Sequence, residues 1–238
     1  MVLKVGLPNP ELRTEILALR AFNGRGMVQL LEADEARGAL LLERLEPGTD
    51  LLDVPDDEAT LTACGLLREF PKLQMGTSEF PTVADWAKGF ERLHTHFVNG
   101  AGPFPPEMLS RAEGLYRVLD TTADLPVLLH GDLHHWNILS AQRAPWLAID
   151  PKGVIGEPVY EAGAWLRNPI ERLHSLGGIK PLLTRRVDIF VAELGFDRER
   201  LLGWAFAQAM LSAWWAYEDK QSNWKLHLEW AELLADLS

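Results

Sequence analysis

Between two short apolar runs, Leu128-Leu129 and Ile138-Leu139, the chain places His130-Gly131-Asp132-Leu133-His134-His135-Trp136-Asn137. A third apolar run, Leu147-Ala148-Ile149, ends on Asp150. Short strands that bracket so many hydrophilic side chains constrain the fold more than any other stretch, because polar groups at the ends of buried strands must find partners or act on a ligand. Asn137 follows Asp132 by five residues, and Asp150 follows Asn137 by thirteen. That spacing suits phosphoryl transfer. One carboxylate accepts the proton of an attacking hydroxyl, while an amide oxygen and a second carboxylate hold Mg²⁺. Taken singly, Asp132 could cap a turn and Asn137 could begin a helix. His130, two residues ahead of Asp132, is expected to support the loop by packing and hydrogen bonding. The rival reading of the same stretch is a Zn²⁺ or Fe²⁺ hydrolase site built from His130, Asp132, His134 and His135. No clear further ligand pair follows it, whereas Asn137 and Asp150 complete the magnesium set.

The rest of the chain divides into an alternating part and a helical part. Val2-Leu3-Lys4-Val5 reads as a strand, and Pro8-Asn9-Pro10 turns the chain into a helix over Glu11–Phe22, with Leu12, Ile16 and Leu19 on one side. Met27–Glu32 and Ala39–Leu45 are predicted strands of a hairpin that ends at Pro47-Gly48. Beyond residue 56 the spacing becomes helical: Leu61, Cys64 and Leu67 form one stripe, and Thr82 and Asp85 make a capping box ahead of Trp86, Phe90, Leu93 and Phe97. Further helical segments are predicted from Met108 to Leu119, Val159 to Leu166, Pro181 to Leu194 and from Arg198 onward. The expectation is an α+β fold with a small β-rich N-lobe over residues 1–46, a larger helical C-lobe over residues 47–238, and a ligand site in the crevice between them.

The net charge of −11 over 238 residues argues against non-specific binding to nucleic acid and is compatible with a small cationic substrate. Cys64 is the sole cysteine, which excludes an internal disulfide and any multi-cysteine metal centre and fits a reducing cytoplasm. No apolar run approaches the ~18 residues of a membrane span. A cytoplasmic protein with neither membrane nor nucleic-acid partner is expected.

The stretch from His130 to Asn137 resembles the catalytic loop of the aminoglycoside phosphotransferase family, within the streptomycin 6-kinase and hydroxyurea phosphotransferase branch of the protein-kinase-like fold. Ile149-Asp150-Pro151-Lys152-Gly153, Gly156-Glu157-Pro158-Val159-Tyr160-Glu161 and Leu166-Arg167-Asn168-Pro169 continue the resemblance. So do Leu3-Lys4-Val5-Gly6, Glu15-Ile16-Leu17-Ala18-Leu19-Arg20 and Leu40-Leu41-Leu42-Glu43-Arg44-Leu45. It implies a bilobal kinase that moves the γ-phosphoryl of ATP, with Mg²⁺, to a hydroxyl of a small molecule such as an aminoglycoside or hydroxyurea, giving antibiotic resistance. Asp132 would be the catalytic base, and Asn137 and Asp150 the metal ligands. Lys4 would reach the α- and β-phosphates, Glu15 would hold Lys4, and the backbone of Glu43–Leu45 would bind adenine. Glu161 would brace the catalytic loop.

The chain departs from that pattern at its start. The glycine-rich loop expected ahead of the strand Lys is absent, since only three residues precede Lys4. Either the natural chain is longer, or this is a kinase-like binding module without turnover. For the acceptor, Glu218 and Asp219 are the candidate contacts, beside an aromatic-rich region of Trp204, Trp214, Trp215, Trp224 and Trp230. Carboxylates beside indole faces suit a guanidinium- or amine-bearing sugar, although Trp204 and Trp214 are expected to be core.

Overall fold

The computed structural model describes residues 1–74, 79–98, 100–123, 125–174 and 178–237. The N-terminal part is a three-stranded antiparallel sheet, β1 (Val2–Val5), β2 (Leu30–Asp34) and β3 (Ala39–Leu42), in the order β1-β3-β2, with α1 (Pro10–Phe22) packed against it. The local chemistry starts α1 firmly: the Asn9 side chain accepts from the N–H of Leu12 at 2.8 Å, and Pro10 occupies the first helical turn. The hairpin turns through Glu35–Arg37, capped by Asp34, and closes on Gly38 at φ +67°, where a Cβ would collide with the Gly6 carbonyl.

The second strand of the N-terminal sheet begins later than the apolar pattern predicts. Met27 and Val28 leave this sheet, and the Val28 N–H instead donates to the Ala148 carbonyl at 2.8 Å. Both side chains are buried. Their apolar character therefore reflects a seam between the sheet and the segment ending at Ala148, not a strand of the sheet.

Most of the remaining chain is helical: α2 (Asp56–Glu69), α3 (Val83–His96), α4 (Pro106–Thr121), α5 (Ala162–Arg167), α6 (Ile170–His174), α7 (Ile179–Leu194), α8 (Arg198–Glu218) and α9 (Trp224–Ala235). The predicted capping box opens α3, with Thr82 and Asp85 bonded reciprocally. Leu61 is exposed on α2, so the buried stripe of that helix runs through Ala63, Cys64, Leu66 and Leu67 instead. The C-terminal helical segment is two helices, because the chain turns at Lys220 with φ +58° and the Gln221 N–H reaches back to the Ala216 carbonyl. Helix α8 is apolar around almost its whole circumference and is accordingly the buried axle of this part. Trp204 and Trp214 on α8, Trp165 on α5 and Trp230 on α9 are all buried in the core around it. Three of these indoles still satisfy their N–H groups: Trp165 donates to Thr60 Oγ1 and Trp230 to the Leu166 carbonyl, both at 3.1 Å, and Trp204 donates to the Glu157 carboxylate. No helix among the described residues is long and apolar enough to cross a membrane.

Two small antiparallel ladders position the polar loop. β4 (Val127–Leu129) pairs with β7 (Val154–Gly156), and β5 (Ile138–Ser140) pairs with β6 (Trp146–Ala148). The segment 130–137 runs from the end of β4 to the start of β5, and Asp150 follows β6. All three polar residues singled out by spacing therefore stand at strand ends beside one another.

Candidate active site

Glu161 organises the loop from beneath. Its buried carboxylate accepts from the backbone N–H groups of His130 and Gly131, the latter at 3.1 Å from Oε2. Burial pushes this carboxyl up to about 7, against the pull of those two N–H groups. His130 is fully buried and bonded at both nitrogens: Nδ1 accepts from the Asp132 N–H at 3.2 Å, and Nε2 donates to the Ile149 carbonyl at 2.8 Å. This assigns it a neutral tautomer, in keeping with burial holding its pKa down to about 4. The histidine thus ties the loop of Asp132 to the segment after β6 that carries Asp150, the supporting role expected of it. Gly131 sits at φ +84°, and a Cβ there would come within 2.9 Å of both Trp86 and Val154. Only glycine allows this turn.

Asp132 projects from that turn. Burial alone would raise its carboxyl, but the His134 imidazole at 3.6 Å and the charge of Arg167 outweigh burial and hold it below the usual carboxylate range. Asn137 donates from Nδ2 to the Asp132 carbonyl at 2.9 Å, and the Ile149 N–H donates to the Asn137 carbonyl at 2.9 Å. The first bond fixes the amide so that Oδ1 is the atom left over, and the second brings Asn137 alongside Asp150. Asp150 itself lies at φ +56°, a backbone setting that Asp tolerates better than most residues. An amide oxygen and a carboxylate are hard oxygen donors, the set that Mg²⁺ takes up beside phosphate oxygens. The residues present fit that ion.

The histidine-rich alternative does not assemble. Both nitrogens of His130 are committed, and His135 stacks on Trp165 at 3.9 Å with the Arg186 guanidinium beside its Nε2. Among the described residues, no three His, Cys, Asp or Glu side chains converge as a metal cluster.

Lys4 comes to this site from β1. Its ammonium lies 2.7 Å from Glu15 Oε1 and 3.1 Å from Asp150 Oδ1. Burial would lower the Lys4 pKa, but the bond to Glu15 and the charge of Asp150 more than compensate and raise it. A residue at the start of the chain, one on α1 and one after β6 are thereby joined. On the other side of the sheet, the Glu43 carboxylate is clamped by Arg143 with both contacts at 3.0 Å, and its backbone N–H donates to the Gln29 carbonyl at 2.9 Å. Leu45, two residues on, packs against the core.

Beyond Asp132 opens a cavity of about 800 Å³. Glu218 and Asp219 both line it, as do Trp86, Arg167 and Trp215. The Glu218 carboxylate is held by Arg92 in a two-pronged bond of 2.9 Å per contact. Asp219 has no ion pair within 4 Å among the described residues. Trp86 and Trp215 meet edge to face at 5.9 Å. Of the five tryptophans named from the sequence, only Trp215 faces this cavity; Trp204, Trp214 and Trp230 are core, and Trp224 packs on Phe104 and Tyr217. The sequence pattern does not single out Trp86 and Arg92 as site residues. Both sit on the capped helix α3, but nothing local marks their face as the one that meets α8.

Comparison with known proteins agrees with this geometry. Residues 2–220 match the family described as aminoglycoside/hydroxyurea antibiotic resistance kinase. Streptomycin 6-kinase of Streptomyces griseus is 33% identical over 227 residues, covering 91% of this chain and 71% of that protein. Hydroxyurea phosphotransferase of Kitasatospora aureofaciens is 33% identical over 231 residues, covering 91% of this chain and 62% of that protein. Among solved structures, choline kinase LicA from Streptococcus pneumoniae superposes with a TM-score of 0.66 at 12% identity, covering 98% of this chain and 85% of that one. The GDP complex of aminoglycoside 2'-phosphotransferase-IIIa gives 0.58 at 14% identity, covering 96% and 83%. At such identities the structural likeness speaks to the fold, which is the bilobal protein-kinase-like one. The loop held by Glu161, the Lys4–Glu15–Asp150 junction and the match over nearly the whole chain lead to one assignment: this chain belongs to the aminoglycoside/hydroxyurea antibiotic resistance kinase family.

Proposed function

We propose that the protein transfers the γ-phosphoryl group of ATP to a hydroxyl of an aminoglycoside-class acceptor, in the cytoplasm, and that this modification confers resistance. The observation that carries the reading is the junction of Lys4, Glu15 and Asp150 next to Asp132, because it assembles phosphate-binding and proton-accepting groups from four separate parts of the chain. Lys4 orders the α- and β-phosphates and Glu15 keeps Lys4 in place. Asn137 and Asp150 hold Mg²⁺, which when bound neutralises charge on the phosphate oxygens. Adenine lies against the segment Glu43–Leu45, where residues 1–46 meet residues 47–238. The Glu43 N–H is already committed, which leaves its carbonyl and the Leu45 N–H for the base.

Asp132 takes the acceptor proton. Its depressed pKa makes it a weak base in the ground state, so its first task is to align the hydroxyl, with proton transfer completing as the bond to phosphorus forms. The volume beyond Asp132, the paired indoles of Trp86 and Trp215 and the carboxylate of Asp219 suit a cationic sugar far larger than hydroxyurea.

The test is transfer of label from γ-labelled ATP to streptomycin, other aminoglycosides and hydroxyurea, with Asp132→Ala as control. Labelled aminoglycoside in the wild type and none in the variant is the expected result. If no acceptor is labelled although ATP binds, the protein is a nucleotide-binding module and not an enzyme of this class.

A further inference from the structure

We propose that Lys152 is a catalytic residue, which sets its ammonium on the phosphoryl group in transit between nucleotide and acceptor. The inference rests on the phosphotransferase reading above and adds to it a cation for the transferred group itself.

Two cavities meet at the site. One, of about 210 Å³, is lined by Lys4, Glu15 and Asp150 and is the phosphate side. The other, of about 800 Å³, is lined by Asp132, Trp86 and Trp215 and is the acceptor side. Among the described residues only Glu11 and Lys152 line both. Whatever passes from one cavity to the other passes these two side chains.

The backbone of Lys152 is anchored and its ammonium is not. The Lys152 N–H donates to the His130 carbonyl at 2.8 Å, and its Cβ lies against Gly131, so the root of the side chain belongs to the catalytic loop. Its Nζ stands 3.5 Å from Glu11 Oε2, beyond good hydrogen-bond length, and the Glu11 side chain is 77% exposed. Such a pair holds weakly and exchanges readily. Lys4 differs in each respect: it is bonded to Glu15 at 2.7 Å and to Asp150, and so serves the phosphates that stay behind. The other cations on the acceptor side are engaged, Arg92 by Glu218 and Arg167 by the Gln208 side chain. Lys152 is therefore the cation placed to leave its partner for the anionic phosphoryl group, with its three non-bridging oxygens, arriving between the cavities.

In the step itself, the acceptor oxygen forms a bond to the γ-phosphorus while the bond from that phosphorus to the β,γ-bridging oxygen breaks. The electron pair leaves with ADP, and the acceptor proton passes to the Asp132 carboxylate. Lys152 gives up no proton. It balances charge on the non-bridging oxygens, as a cation supplied to the transferring group does in other phosphoryl transfers.

The experiment compares wild type, Lys152→Met and Lys152→Arg for kcat and for both KM values with the best acceptor. It also measures calorimetric affinity for Mg·ADP with and without aluminium fluoride, a mimic of the group in transit. Lys152→Met should lose ~10²–10³-fold in kcat, the usual effect of removing one preorganised donor, with KM for ATP and affinity for Mg·ADP unchanged. Its affinity for the fluoride complex should fall by a similar factor, and Lys152→Arg should recover most of both losses. A Lys152→Met enzyme with unchanged kcat and fluoride affinity overturns the proposal. So does a parallel loss of Mg·ADP affinity, which would mark a structural role. A wild type without turnover sinks the phosphotransferase reading itself, and this one with it.

Discussion

The two sides of the cleft are built on different principles. On the side proposed for the phosphates most charges are firmly held, Lys4 by Glu15 and Asp150, Glu43 by Arg143, and the loop itself by Glu161, with Lys152 and Glu11 the loosely paired exception. On the acceptor side the wall is made of aromatic faces, Trp86 against Trp215, with one acid cancelled by Arg92 and another, Asp219, left without an ion pair among the described residues. A polyphosphate presents the same charges whatever the acceptor, so a rigid constellation suits it and needs little reorganisation on binding. An acceptor is recognised by shape and by a few charges, and a wall of helix faces supplies these without binding the loop chemistry to one substrate. The difference predicts that substitutions on the phosphate side damage turnover or nucleotide affinity, while those on the acceptor side redistribute preference.

The sharpest attempt to break this contrast is Asp132→Asn, which keeps the shape of the side chain and removes its basicity. Turnover is expected to fall by ~10²–10⁴-fold, the range for a general base, while ATP affinity stays within a factor of about three by the same reasoning. Steady-state kinetics alongside nucleotide titration separates the two. Lys4→Met comes next. Loss of its charged hydrogen bonds should weaken ATP binding by about 10–100-fold, and the effect should not depend on which acceptor is present. An effect that changes with the acceptor would mean the two sides are not separable as described.

Glu161→Gln probes the brace under the loop through pH. The folded-state pKa of Glu161 is raised, to about 7 from an ordinary 4.5, so the folded protein binds this proton more tightly than the unfolded chain. The cost of burying its charge is therefore absent in acid, grows as pH rises from 4.5, and is complete above about 7. Wild-type stability relative to the glutamine variant should fall by about 1.4 kcal/mol per pH unit across that window and be flat outside it. Denaturant unfolding at several pH values gives the slope, and parallel curves for the two proteins would contradict the burial of this group. The smallest effect is expected from Arg92→Ala. It releases Glu218 into the acceptor cavity, which should lower KM for a polycationic acceptor by roughly 2–5-fold, the worth of one partly exposed charge contact, with stability changed by no more than about 1 kcal/mol. A change in KM for ATP instead would place Arg92 on the wrong side of the comparison.

Much of the phosphate side is legible in the order of residues alone. Asp132, Asn137 and Asp150 announce themselves because they are polar residues at the ends of short apolar strands. Asn9-Pro10 and the Thr82/Asp85 box mark helix starts because capping is local chemistry. Lys4 and Glu15 stand out only through resemblance, since a strand Lys and a helix Glu eleven residues apart look like any surface pair. The strand expected from Met27 onward shows the limit of apolar patterning: Met27 and Val28 are buried at the seam with β6, which a run of hydrophobic residues cannot distinguish from a place in the sheet. The partners Arg92 and Glu218 are separated by 126 residues, and the face of α3 that meets α8 is set by how two helices pack.

Local sequence is enough to mark the residues proposed for the chemistry, the helix caps and the division into an alternating and a helical part, because each depends on neighbours within a few residues. That Lys4, Glu15 and Asp150 meet, that Glu218 is neutralised while Asp219 is not, and that Lys152 stands between two cavities all follow from the folded arrangement. Those outcomes depend on the packing of elements far apart in the chain. Side-chain direction across such an interface is fixed by close packing of the whole core, and no local pattern encodes it.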